Sequence, residues 1–333
     1  MSGEVSGLLV IDKPQGVTSH DLVAAVRAAL HMKRVGHAGT LDPMATGVLV
    51  IGFGCVTRLL SYIVGHDKTY ETTILLGQGT TTDDADGDPL PRTADEAQAV
   101  AERIHRLTDD DIRAAAARLT GDIRQVPSAF SAKKIHGQKA YDLARNGDVV
   151  KLEAQSVTVS AFDILDIRRT EAPTIAVDAR VTCSTGTYIR ALGRDMGADL
   201  GVGGHLTRLR RTRVGSFRVD DPAVVTAHVE DHTFVNRDGQ TVTRPRAVLD
   251  ITDRDALLAR ALTPADAARR GMPSIEVTPA QADYLEHGRL IDGVVDGPTA
   301  AICADPSSPG GERLVALVER RTRTQLKPSV VFR

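Results

Sequence analysis

Apolar residues first gather in Gly7–Asp12 (GLLVID), a short run bounded by Gly and by Lys13-Pro14, which predicts a buried strand. Pro14-Gln15-Gly16 supplies turn chemistry and Thr18 or Ser19 an N-cap. Leu22, Val23, Val26 and Leu30 then recur at helical spacing, so a helix runs to about His31. Val48–Phe53 reads as a second buried strand, and Val56–Val64 has helical spacing at Leu59, Leu60 and Ile63. Thr69–Leu76 is β-branched and half alternating, which predicts a strand, and the Gly-, Asp- and Thr-rich stretch 77–91 predicts a long loop. Helices follow over Asp109–Leu119, Gln138–Arg145 and Tyr188–Leu200, with strands at Val157–Ile167 and Ile175–Cys183. Helices interrupt the strands without a steady βαβα rhythm. The expected fold class is therefore α+β, with a mixed, largely antiparallel central sheet flanked by helices.

From Leu262 the pattern changes. Thr263-Pro264 caps a short helix, and short strands follow, clearest at Leu314–Glu319 and Ser329–Phe332. This tail reads as a small β domain. The polar stretch before it reads as a linker or insertion. The expected division is 1–226, 227–261 and 262–333.

The 333 residues are 42% hydrophobic and 25% charged, ordinary globular values that exclude wholesale disorder. No apolar run approaches the ~20 residues of a membrane span, and no signal peptide is recognisable, so a cytoplasmic protein without a membrane partner is expected. Cys55, Cys183 and Cys303 form no C-x-x-C pair and read as small buried hydrophobes. No association motif stands out, and a monomer is expected. The net charge of −2 argues against a nonspecific polyanion binder, yet bases cluster at Lys133–Lys139 and Arg208–Arg218, where a local patch can hold phosphates. Aromatic residues are only 3%, so any base stacking falls on a few Tyr, Phe or His side chains.

Several chemistries lose ground. Gly65-His66-Asp67-Lys68-Thr69 lacks the glycines of a phosphate loop, and Gly52-Phe53-Gly54 and Gly77-Gln78-Gly79 lack the third glycine of a dinucleotide site. There is no H-E-x-x-H, no G-x-S-x-G and no metal-ligand spacing among the ten histidines. Thr82–Gly87 has Asp84, Asp86 and Gly87 in calcium-loop positions, but Thr82 and Thr93 stand where carboxylates belong.

The densest feature is Gly36-His37-Ala38-Gly39-Thr40-Leu41-Asp42-Pro43-Met44-Ala45-Thr46-Gly47. By residue type alone it is either a plain turn capped by Asp42 or a loop that brings a carboxylate close to a ligand. This segment resembles the G-H-x-G-x-L-D-P-x-A-T-G motif of the TruB family of tRNA pseudouridine synthases at every fixed position. Other segments resemble further family motifs in the same order: Lys13-Pro14-Gln15-Gly16-Val17-Thr18-Ser19, Lys68-Thr69-Tyr70, Gly186-Thr187-Tyr188-Ile189-Arg190 and Leu209-Arg210-Arg211-Thr212. The resemblance covers most of residues 7–220. The tail is similar to the small PUA-like RNA-binding domain that ends many members. Departures are Thr81, where the loop often has Asp; Ser128 and Phe130, where the family often reads P-x-Y; and Lys133, in place of an apolar residue. None touches Asp42.

The resemblance implies a pseudouridine-synthase fold and isomerisation of uridine 55 in the T arm of tRNA. That reaction breaks the N1–C1′ bond, turns the uracil and joins C5 to C1′. It is redox-neutral and loses no group, so no cofactor and no metal is expected. Asp42 is then the essential carboxylate, with three routes open to it: attack at C1′, attack at C6, or removal of the 2′ proton. Arg190 is its cationic partner, opposing the pKa rise that burial imposes. Tyr70 packs on the base and assists loss of the C5 proton, Leu209 closes the pocket, and His37 stacks where the flipped base leaves the helix. Lys13, Lys133, Lys134, Lys139, Arg208, Arg210 and Arg211 are candidate phosphate contacts. Two other readings compete. One is an RNA-binding or RNA-folding protein without catalysis. The other is a glycoside- or nucleoside-cleaving enzyme pairing Asp42 with Asp84 or Asp86, which needs a second carboxyl ~5–10 Å away.

Overall fold

The structure, a computed structural model, describes residues 5–128, 134–135, 138–139, 152–236 and 238–332. The chain compacts into two units. The first joins Met1–His66 to Arg213–Arg333, and the second is the continuous stretch Asp67–Thr212.

The first unit begins with β1 (Gly7–Lys13), α1 (Ser19–Leu30), β2 (Val35–Ala38), β3 (Thr46–Phe53) and, after a 3-10 turn at Gly54–Arg58, the short α2 (Leu60–Val64). Thr18 is the N-cap of α1, and Asp21 completes a capping box. Strand β3 is buried along nearly its whole length because both faces are covered. Val48 and Val50 enter one core, and Leu49, Ile51 and Phe53 enter another with Leu22, Val26 and Leu30 of α1. That explains its unbroken apolar run. The helix expected over 56–64 is divided at Leu59.

The second unit runs β4 (Lys68–Leu76), α3 (Ala94–Arg106), α4 (Asp109–Arg118), β5 (Gly121–Gln125), a small hairpin of β6 (Lys134–Ile135) and β7 (Gln138–Lys139), then β8 (Gln155–Arg169), β9 (Ile175–Cys183), α5 (Ile189–Asp199) and β10 (Gly204–Val214). Its strands lie in the order β10-β4-β9-β8-β5. The first residues of the helix expected over 138–145 are strand, paired with β6; the remainder lies outside the described residues. Helix α3 was not expected, because Ile104 is its one buried side chain and no apolar stripe marks it. Its legible signal is the Thr93–Glu96 capping box. Helix α5 approaches the chain so closely that a Cβ on Gly197 would meet Gly203 C and Gly204 N at 2.2 Å.

The chain returns to the first unit with β11 (Phe217–Arg218), β12 (Val225–Val235), β13 (Thr241–Leu249), α6 (Arg254–Leu258), α7 (Pro264–Gly271), β14 (Ser274–Glu276), α8 (Pro279–Glu286), β15 (Ile291–Asp292), β16 (Thr299–Ala304), β17 (Glu312–Arg320) and β18 (Gln325–Val331). The stretch expected as a linker or insertion is a long hairpin and a helix. Strand β12 pairs with β13 and, in parallel, with β1 through Ile11↔Val225 and Asp12↔Thr226. The five-stranded sheet β14-β16-β17-β18-β15 is not a separate body. Ala268, Ile302, Leu317 and Phe332 share a core with Leu8, Val10, Val48 and Val50. Compaction thus follows other boundaries than 1–226, 227–261 and 262–333. The parallel β1–β12 pair beside the antiparallel β1–β3 pair makes the central sheet mixed, as expected, and the parallel β14–β16 pair does the same for the five-stranded sheet.

Candidate active site

In the first unit, residues 39–45 form the loop between β2 and β3, with Asp42 half-buried on it. The backbone is pinned on both sides of this carboxylate. Ser19 Oγ accepts from Leu41 N at 2.9 Å and donates to Leu41 O at 3.2 Å. Gly16 N donates to Pro43 O at 2.8 Å, and Ala45 N to Asp42 O at 3.1 Å. Lys13, expected at an RNA phosphate, is fully buried instead. Its Nζ donates to the carbonyls of Pro14 (2.9 Å), Pro43 (3.2 Å) and Ala45 (2.7 Å). An ammonium without water needs its donors met, and three loop carbonyls meet them. Lys13 is therefore a clamp on the Asp42 loop. Because Thr18 caps α1, the neighbouring Ser19 is left to hold Leu41. His37 is half-buried on strand β2, opposite Ile51, rather than on the loop itself.

In the second unit, Tyr70 is buried on β4 opposite Val181 of β9. Lys68, two residues earlier, is also buried, and burial followed by repulsion from Arg211 lowers its pKa from 10.5 to about 8. Cys183, opposite Lys68, is pushed up to about 11 by burial and is an inert thiol. Leu209 is buried on β10, as a pocket wall requires. Arg211, expected at a phosphate, is only 1% exposed and belongs to the interior. Arg210 is half-buried; Arg208 is exposed, with Nη2 3.8 Å from Glu71. Lys133 lies outside the described residues, and Lys134 and Lys139 stand on the β6–β7 hairpin.

Arg190 is 4% exposed on the first turn of α5. Its Nη1 donates to Thr82 O at 2.9 Å and to Asp84 Oδ2 at 3.1 Å. Asp84 is equally buried and also accepts from Thr82 Oγ1 and from Asp86 N at 3.1 Å. One turn along, Arg194 donates to Asp83 Oδ2 (3.2 Å) and Val126 O (2.7 Å), and Ser128 Oγ donates to the same Asp83 oxygen at 2.6 Å. Two successive aspartates thus hold two arginines four residues apart. Sequence reasoning noticed Asp83 only within a Gly-, Asp- and Thr-rich loop, and Asp84 as a calcium-loop position and a candidate second carboxylate. The i, i+4 spacing of Arg190 and Arg194 against adjacent Asp residues was the available signal. Among the described residues no cluster of His, Cys, Asp or Glu could hold a metal ion.

The fold is that of the pseudouridine synthases. A chain of the solved structure "Crystal Structure of a Cbf5-Nop10-Gar1 Complex" superposes with a TM-score of 0.66 at 22% identity, covering 98% of this chain and 84% of that one. One from "Structure of H/ACA RNP bound to a substrate RNA containing 2'-deoxyuridine" gives 0.65 at 21% identity, covering 98% and 85%. Residues 27–189 match the model described as "TruB family pseudouridylate synthase (N terminal domain)", and residues 190–269 match "tRNA pseudouridylate synthase B C-terminal domain". Proteins named "tRNA pseudouridine synthase B" from Bifidobacterium longum (strain DJO10A) and Thermobifida fusca (strain YX) are 49% and 44% identical, each over 98% of both chains. The chain belongs to the TruB family.

Proposed function

We propose that this protein isomerises uridine 55 in the T-arm loop of tRNA to pseudouridine, with Asp42 as the essential carboxylate. Family membership gives the class of reaction, an isomerase acting on tRNA uridine. The observation that carries the assignment to Asp42 is the pinned loop: a half-buried carboxylate whose backbone is fixed at residues 41, 43 and 45 by hydrogen bonds from Lys13, Gly16 and Ser19. Such fixation pre-organises a reacting group. In this reading Arg190 supplies the cation for Asp42, Tyr70 meets the base, Leu209 walls the pocket, and His37 fills the space left by the flipped uridine. The enzyme works as a cytoplasmic monomer on the T-stem loop, without a cofactor. Arg208, Arg210 and the 133–139 bases serve the RNA backbone, and residues 262–333 add a further RNA-binding element. The glycoside-cleaving alternative loses Asp84, which is already the partner of Arg190.

A T-arm RNA hairpin tritiated at uridine C5 tests the proposal. Release by the wild type without added metal or nucleotide, and none by Asp42→Asn at undiminished RNA affinity, is the expected result. Equal release by both proteins would remove Asp42 from the chemistry. Tight binding with no release by either would leave an RNA-binding role.

A further inference from the structure

The β12–β13 hairpin projects from the sheet beside the Asp42 loop. Strand β12 runs parallel to β1 and leaves it at Asp12↔Thr226, one residue before the clamp Lys13. The Asp42 loop emerges at this same end of β1, because Lys13 pairs with Gly47 at the start of β3. Beyond Thr226, among the described residues, β12 pairs only with β13, whose residues 244–247 lie beside the first half of α1. At about 3.3 Å per residue, Phe234 stands roughly 26 Å farther along the strand. Only the root is buried: Val225, Ala247 and Leu249 join the core beneath α1.

The two faces of the free part differ. One carries His232 and Phe234, with Arg244 opposite His232 and Arg246 opposite Glu230. The His232 and Phe234 rings stack at 5.7 Å and 21°, and the Arg244 guanidinium lies 5.9 Å from the Phe234 centroid. His232, Arg244 and Arg246 are exposed. Among the described residues neither arginine is ion-paired, while Glu230 accepts from His228 Nε2 at 3.1 Å. His232, Arg244 and Arg246 also border a cavity of ≈ 140 Å³ with Asp21, Ala24 and Ala25 from the first half of α1, the helix whose Ser19 holds Leu41. The other face holds Asp231, opposite Pro245, and then Thr233, Val235, Thr241 and Thr243, so its one charge at the level of Arg244 and Arg246 is negative.

We infer that this hairpin is an RNA-binding arm: the His232–Phe234–Arg244 stack takes an unpaired base of the tRNA substrate, and Arg244 and Arg246 take the adjoining phosphates. The inference rests on the proposed tRNA activity. An aromatic stack edged by planar cations matches single-stranded nucleotides, whose bases offer π-faces and whose backbone offers a charge at every step. The chain holds only six Phe and no Trp, and here one Phe stands on a ribbon rather than in the core.

The test is equilibrium binding of unmodified tRNA transcript to the full-length protein across a salt series, beside tritium release against RNA concentration. Phe234→Ala should weaken binding about tenfold and raise the RNA concentration for half-maximal rate to match. Arg244→Ala with Arg246→Ala should also flatten the plot of log K against log salt, by about 0.7 per lost phosphate contact. Phe234→Tyr keeps the stack and should bind as the wild type does. Thr233→Ala with Val235→Ala, on the opposite face, should change nothing. Thermal midpoints matching the wild type certify that each variant is folded. Unchanged affinity and salt slope in the Phe234 and Arg244/Arg246 variants, with an active wild type, would overturn this inference and leave the tRNA assignment standing. A wild type that neither binds tRNA nor releases tritium would overturn both.

Discussion

A lysine's charge is legible in a sequence, but its burial is not. Lys13 stands in a motif where a phosphate contact is a reasonable expectation, yet it has no exposed surface and serves three loop carbonyls. Arg211 is buried in the same way, and neither burial can be read locally because it depends on strands distant in sequence. Lys13→Met should destabilise the protein by about 3 kcal/mol in urea unfolding, since buried carbonyls lose their donor. The variant should lose tritium release while the salt slope of RNA binding stays unchanged; a slope reduced by one phosphate contact would restore the phosphate reading. Lys68 gives a pH prediction. Its folded pKa of about 8 lies below the ordinary 10.5, so between these values the unfolded chain holds more protons and stability rises with pH. The stability of wild type relative to Lys68→Met should therefore climb from pH 8 to about 10.5 and be flat below pH 7. A difference that falls with pH would show that Lys68 is held as a cation. The loop that carries Asp42, by contrast, was legible, because the glycines and proline that shape it are local.

At the scale of elements, strands were legible wherever apolar character is continuous or alternating: β1, β3, β4, β8 and β9 lie where the pattern placed them. The β12–β13 hairpin was not legible, since beyond its root both faces meet solvent and no period-2 contrast forms. Helix α5 was found, but not what fixes its rotation. Its buried Arg190–Asp84 pair and its part-exposed Arg194–Asp83 pair make unequal contributions. Asp84→Ala removes one carboxylate from a buried guanidinium, and a loss of about 3 kcal/mol is expected in chemical denaturation. Arg194→Ala should lose about 1 kcal/mol. Equal losses would mean that burial does not decide the matter. Gly197→Ala should destabilise by about 3 kcal/mol, because the new methyl meets backbone at 2.2 Å and no side chain there can turn away. A thermal midpoint within a degree of the wild type would contradict the close approach.

For the molecule as a whole, the order of strands and helices gave the correct class, an α+β protein, composition gave its ordinary apolar content, and the motif order gave the family. The pairing of Ile11 and Asp12 with Val225 and Thr226 leaves no mark in either segment. One consequence concerns synthesis. The second unit is an uninterrupted insert between His66 and Arg213, whereas the first needs both ends of the chain. A nascent polypeptide that has emerged as far as residue 212 already possesses all of the insert. Its strand β1 still lacks β12, and its first core still lacks Ile302, Leu317 and Phe332. The opening fifth must therefore wait on the ribosome, with apolar surface uncovered, until the closing third arrives. Pairing across more than 200 residues of sequence is slow to form. Such a chain has its greatest need of a chaperone late in translation, and premature termination near its end should leave an aggregation-prone fragment rather than a shortened enzyme.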